Sequence, residues 1–248
     1  MSNYNWEIKL AALLLMLTIL IYSLKYFFLQ NTGDTINYIF NSLGFLPVNV
    51  LLVTIVLNKL LILRARHEKL EKMNMVIGAF FTEVGSHLIT VITKIDPDYK
   101  DISDLLLIKK DIKDDNFKNI KEKIASYNTS LNTGNIDIIS LNNFLISKRD
   151  FMLRMLENPV LLEHESFTEL LRAVFHLAEE LKCRGDFSCL PDTDYAHLSG
   201  DINRVYKTLV LEWLDYMNYL KNNYPYLFSL EMRMNPFDKN ASPIVNQY

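Results

Sequence analysis

The chain has 248 residues, half of them hydrophobic, with only seven glycines and seven prolines; this favours helices over a turn-rich β fold, in one large domain or two small ones. Its formal net charge is −3 and no dense basic stripe is present, so a nucleic-acid partner has no electrostatic support. Cys183 and Cys189 are the only thiols, and their C-x5-C spacing fits neither a CxxC redox pair nor a paired zinc knuckle.

In chain order, the first element is LAALLLMLTILIYSL, residues 10–24, which carries no charge and continues across Lys25 to Leu29. About 20 apolar residues are what a helix needs to cross a hydrocarbon core of about 30 Å. No A-x-A-like cleavage site follows, so a retained membrane span is expected at 10–29. A second run, LGFLPVNVLLVTIVLNKLLIL at 43–63, meets the same length criterion, with Lys59 close enough to its end to snorkel. The connection QNTGDTIN carries no lysine or arginine, whereas Arg64, Arg66, Lys69 and Lys72 follow the second run. The positive-inside rule therefore puts both termini and the long C-terminal part in the cytoplasm of a multi-pass membrane protein.

No proline or turn cluster interrupts the chain between the second run and Asp96-Pro97, so a helix from about 48 to 94 is expected to project past the membrane surface. Gly78 and Gly85 lie seven apart on one face of it, where small residues allow close helix contact or, less simply, a hinge. From 96 to 139 the sequence is polar and broken around a helix near 115–126. Ser140 is placed as the cap of a helix reaching Glu157. Ser166 opens a capping box with Glu169, marking a helix that ends near Gly185. Asp192 or Thr193 starts a last long helix to Asn223, a short helical piece follows around YLFSLEMRM, and residues 236–248 read as a flexible tail. The expected architecture is all-α: a transmembrane hairpin over 1–65, its second span continuing into a cytoplasmic helical bundle over 66–235.

At about 100° per residue, Phe167, Leu170, Leu171, Val174, Leu177, Ala178 and Leu181 gather on one side of the 166–184 helix. His176 falls opposite Phe167, with Glu169, Arg172, Glu179 and Glu180 around it, which reads as an outer face with surface pairs at i,i+3 and i,i+4. In the last helix Leu198, Ile202, Val205, Leu209, Trp213, Tyr216 and Leu220 make the apolar face. His197, Asp201, Arg204, Thr208 and Asp215 make a polar seam facing solvent, another subunit or a water-filled axis. Glu169, Arg172, His176, Glu180, His197, Asp201 and Arg204 are thus candidates for a polar interface. If His176 and His197 meet across a subunit boundary, the contact becomes pH-sensitive.

A metal centre would have to gather His164, Glu165, His176 and His197. Carboxylate-bridged metal bundles use E-x-x-H on two inward-facing helices, and here only D-x-x-H at Asp194 to His197 comes near, so neither metal nor other cofactor is expected. A glycine-rich phosphate loop, a G-x-S-x-G elbow and H-E-x-x-H are all missing from the sequence, which argues against an enzyme.

The segments MNMVIGAFFTEVG (73–85), ENPVLLEHESFTELLRAVFHLAEEL (157–181) and EWLDYMNYLKNNYPYLFSLEMRMNPFD (212–238) resemble a family of small, uncharacterised prokaryotic membrane proteins with two spans and a helical cytoplasmic part. The resemblance covers most of 36–238 and implies the layout; it carries no functional residue.

The preferred functional expectation is a homo-oligomeric pore or ion channel with a cytoplasmic regulatory domain. Asp34, Asn37, Asn41, Asn49, Thr54 and Asn58 would line it, Asp34 forming a carboxylate ring at the mouth, and Gly44 and Pro47 would supply bends. The same asparagines and threonine also serve as interhelical hydrogen-bond glue. The alternative is a membrane-anchored scaffold or regulatory module that meets a cytoplasmic protein partner through its polar seams and the tyrosine-rich YMNYLKNNYPYLF. A metal-dependent membrane enzyme stands third.

Overall fold

The computed structural model describes residues 32–97, 99–108, 112–127, 131, 137–187 and 189–245, together with 16, 19, 20, 23, 24, 26 and 27. Its described residues form helices and no strand, in agreement with an all-α class. The chain divides into two compact units, Met1–Arg66 and His67–Tyr248.

In the first unit, most of the expected 10–29 span lies outside the described residues. Met16, Ile19, Leu20, Ser23, Leu24, Tyr26 and Phe27 are helical and exposed. Helix α1 is Thr32–Phe80. It starts earlier than expected, so the connection placed at 30–37 is helical from Thr32 onward. Asp34 in the first turn favours this start by complementing the helix dipole. Pro47 withdraws one amide donor from the middle of α1, which costs a hydrogen bond without ending so long a helix. Among the described residues one helix is long and apolar enough to cross a membrane, and none of its most apolar window is buried.

In the second unit, α1 widens into one π turn at Phe81–Gly85 and continues as α2, Ser86–Thr93. Both glycines sit where a side chain would collide with an aromatic one. A Cβ on Gly78 would come within 2.8 Å of the Tyr216 hydroxyl oxygen, and one on Gly85 within 2.5 Å of Phe81 Cδ1. Phe81 and Tyr216 then stack at 5.3 Å, and Phe80 meets Phe167 edge-on at 5.3 Å.

The polar stretch after Asp96 contains a helix that sequence reading passed over, α3, Tyr99–Leu106. Its Ile102 and Leu106 are buried among charged neighbours, so two apolar residues four apart suffice once a core is available. Helices α4, Asp114–Ser126, and α5, Ile138–Leu156, follow. The cap of α5 is Asp137 and not Ser140: the carboxylate accepts from the Ser140 amide at 2.9 Å and its hydroxyl at 2.6 Å. A single turn α6, Pro159–Leu162, leads to α7, Glu165–Arg184. His164 caps α7, its Nδ1 accepting from the Phe167 amide at 3.2 Å. Ser166 therefore lies inside the helix, its hydroxyl oxygen 3.3 Å from His164 Nδ1.

Helix α8, Asp192–Asn223, is central; α2, α4, α7 and α9, Pro225–Arg233, all pack on it, while α5 packs on α7. The seven apolar positions expected along α7 and the seven along α8 are all buried. With neighbours on several sides, α8 also buries Tyr206, Val210, Leu214 and Met217, well beyond one stripe.

The expected tail is docked over its first part. Asn235 Nδ2 donates to the Leu106 carbonyl at 2.8 Å, the Phe237 amide donates to Asn235 Oδ1 at 3.0 Å, and the Phe237 ring is 1% exposed against Trp213. A large aromatic and a buried amide explain the difference, since the Phe237 ring and the two Asn235 hydrogen bonds together offset the ordering of the residues between them.

Candidate functional site

Helices α7 and α8 run antiparallel across the short Gly185–Pro191 connection, which pairs early positions of one with late positions of the other. Gly185, at φ 67, makes the turn-off from α7 in a conformation that other residues resist. Down this seam polar groups meet in order. Arg184 grips Asp194 with both arms of its guanidinium, at 2.7 and 2.8 Å, and donates to Glu180 Oε2 at 2.7 Å. Glu180 Oε2 lies 3.7 Å from His197 Nε2, and Glu180 Oε1 lies 3.9 Å from His176 Nε2. Asp201 Oδ2 is 3.5 Å from each of the two imidazole nitrogens, and Arg204 Nη1 is 3.7 Å from Asp201 Oδ1.

Burial grades across the cluster. The imidazoles of His176 and His197 are about half exposed, whereas the Asp201 side chain is 6% exposed. Among the described residues its Oδ2 has no hydrogen-bond partner. Hydrogen bonds from Arg184 hold the carboxyls of both Glu180 and Asp194 below their ordinary range, and the Asp194 bond in particular raises the guanidinium. Arg184 thus fixes one oxygen of Glu180 and leaves the other turned toward His176. Beside the cluster a groove is lined by Glu169, Arg172, Ala173, His176, Arg204 and Thr208, with Glu169 and Arg172 paired at 2.8 Å.

Of the seven polar candidates, the structure brings His176, Glu180, His197, Asp201 and Arg204 into one cluster and puts Glu169 and Arg172 on the adjoining groove. Two expectations are corrected. His176 and His197 do not need a subunit boundary to approach each other's partners, because they share Asp201 Oδ2 within one chain. The angular argument treats a side chain as a point on the helix surface, whereas an imidazole extends far enough to lean from the outer face toward α8. Asp201, expected in a seam of polar side chains, is buried. His164 and Glu165 stay apart from the cluster, since 12 residues of helix separate His164 from His176 by about 18 Å.

The supporting pair Arg184 and Asp194 was missed, and the spacing in HLAEE at 176–180 and HLSGD at 197–201, a carboxylate four residues after each histidine, was read as surface pairing and a polar seam and not as one converging site. On a helix that spacing aims both groups at one point.

The pore candidates do not gather. Asp34, Asn37, Asn41, Asn49, Thr54 and Asn58 are all exposed on α1. On an uninterrupted helix they spread over about 220° of its circumference. Gly44 and Pro47 lie on the α1 backbone, and their side chains are outside the described residues.

The fold and seam define a class: an all-helical protein with an apolar N-terminal helical unit and a larger helical bundle. The N-terminal helical domain described for MJ1433 matches residues 2–61, and the C-terminal helical domain of the same protein matches 69–233. The chain belongs to the MJ1433 family. It is 42% identical over 247 residues to "Uncharacterized protein MJ1433" of Methanocaldococcus jannaschii, an alignment covering 100% of this chain and 99% of the relative. No solved structure matches the chain.

Proposed function

We propose that the chain is an integral membrane protein that holds a helical regulatory or scaffold module at the cytoplasmic face, with the α7–α8 seam and its groove as the recognition surface. The observation that carries this reading is the exposure of the first unit. From Ile36 to Leu63 nearly every large apolar side chain of α1 is more than half exposed, a condition that water penalises along the whole length and a bilayer does not. The uncharged 10–24 run supplies a partner span, making a hairpin, and the basic residues after Leu63 set its orientation. A pore is the weaker reading, because polar positions spread over about 220° cannot all be aimed at one axis by a straight helix.

The native cysteines provide the test. Cys183 and Cys189 are exposed, so a membrane-impermeant maleimide should label them in lysed cells and not in intact ones. The protein should also stay with the membrane fraction after alkaline carbonate washing. Recovery in the soluble fraction, or labelling of intact cells, would overturn the reading.

A further inference from the structure

We propose that His176, Glu180, His197 and Asp201 bind a divalent transition-metal ion between α7 and α8, zinc being the best match. Three of the four, Glu180, His197 and Asp201, present ligand atoms all within 4.8 Å of one another. His176 adds a nitrogen 3.5 Å from Asp201 Oδ2 and 3.9 Å from Glu180 Oε1.

The distances carry the argument. A charge-assisted hydrogen bond between imidazole and carboxylate closes to about 2.7–2.9 Å. Here the four approaches are 3.5, 3.5, 3.7 and 3.9 Å, so the groups converge without bonding one another. Tetrahedral zinc with ligand bonds of about 2.0–2.1 Å separates its ligand atoms by about 3.3 Å, close to the 3.5 Å and 3.7 Å that separate His197 Nε2 from Asp201 Oδ2 and Glu180 Oε2. Asp201 supplies an independent observation: it is 5% exposed, and its Oδ2, turned toward both imidazoles, has no hydrogen-bond donor among the described residues. An ionised oxygen taken out of water in this way calls for a cation. Two imidazoles with two carboxylates make a nitrogen–oxygen donor set suited to zinc and neighbouring transition metals more than to magnesium or calcium.

The surroundings have the form of an outer shell. Arg184 holds Glu180 Oε2 while Asp194 holds Arg184 in turn, and Arg204 stands 3.7 Å from the Asp201 oxygen that faces away from the histidines. Groups placed this way orient ligands and tune affinity. The inference uses the seam geometry alone and not the membrane placement, so either can fail without the other.

The test uses the untagged full-length chain in detergent, carrying Cys183→Ser and Cys189→Ser to remove thiol ligands and stripped of metal with a chelator. Zinc is titrated against a chromophoric competitor, and cobalt(II) absorption reports coordination. The parent is expected to take up one equivalent and to show visible cobalt bands. His176→Ala/His197→Ala, at half-exposed positions that leave the core intact, should lower zinc affinity by at least about 100-fold, the upper end of what losing a mere orienting group costs. Asp201→Asn should abolish the cobalt bands, with far-ultraviolet circular dichroism confirming that both variants keep their helices. A parent that takes up no zinc, or a double-histidine variant that binds it as tightly as the parent, overturns the proposal.

Discussion

Replacing Phe237 with alanine is expected to undock the chain segment after α9 and destabilise the bundle well beyond what a terminal residue usually contributes. Phe237 is 1% exposed, with its ring centroid 5.2 Å from that of Trp213 at an interplanar angle of 64°. Removing a fully buried phenylalanine costs about 3–5 kcal/mol, the transfer of the ring plus the cavity left behind. For a domain of this size each kcal/mol shifts the melting temperature by about 2–4 °C, so a drop of roughly 6–20 °C is expected. The chain has two tryptophans, and in a Trp6→Phe background the emission reports Trp213 alone. Losing its aromatic cover should shift that emission to the red. Thermal unfolding of the full chain in detergent, followed by circular dichroism and fluorescence together, checks both effects. A melting temperature within about 2 °C of the parent, with unchanged emission, would refute the docking of this segment and the reasoning built on it.

Further outcomes are expected elsewhere. At Gly78 the two substitutions should diverge: alanine stays near neutral, because about 1 kcal/mol of helix propensity offsets displacement of the Tyr216 hydroxyl, while valine overpacks against that ring and costs about 1–3 kcal/mol in denaturant titrations. Stability should fall on acidification through the Arg184 cluster. Glu180 and Asp194 are held below their ordinary carboxyl range by hydrogen bonds from Arg184, so their contribution is complete above the unfolded value of about pH 4 and is lost as pH drops through the folded values. Arg184→Met should flatten this acid limb in melting temperature against pH, and an undiminished limb would assign it to other carboxylates. At the alkaline end burial pushes Tyr216 up to about 12; its neutral form is favoured in the folded state, so stability should decline as pH rises from about 10 toward that value. Tyr216→Phe should make this decline shallower, Tyr219 and Tyr224 being raised as well, which melting curves across the alkaline range would detect.

Much of the bundle was legible residue by residue. The stripe from Phe167 to Leu181 and the one from Leu198 to Leu220 are buried as their periodicity required, because a helix has one geometry and its apolar face has to be covered. Caps were less legible: His164 and Asp137 take the roles that reading assigned to Ser166 and Ser140, since several nearby side chains can compete for the same amides and only the packed helix selects among them. The cluster between α7 and α8 was half legible. Its residues were named as polar candidates, yet their convergence on Asp201 was not seen.

The sequence by itself determined the all-helical class, the apolar first unit, the positions of the main helices and the faces they bury, since these follow from composition and periods of a few residues. Only the tertiary structure decided which polar groups meet, that Asp201 is buried beneath two histidines, that Gly78 and Gly85 lie against aromatic rings, and that Phe237 closes the core over Trp213. Those facts depend on side chains from different helices arriving at one point, and helical periodicity carries no record of which neighbour a face will meet.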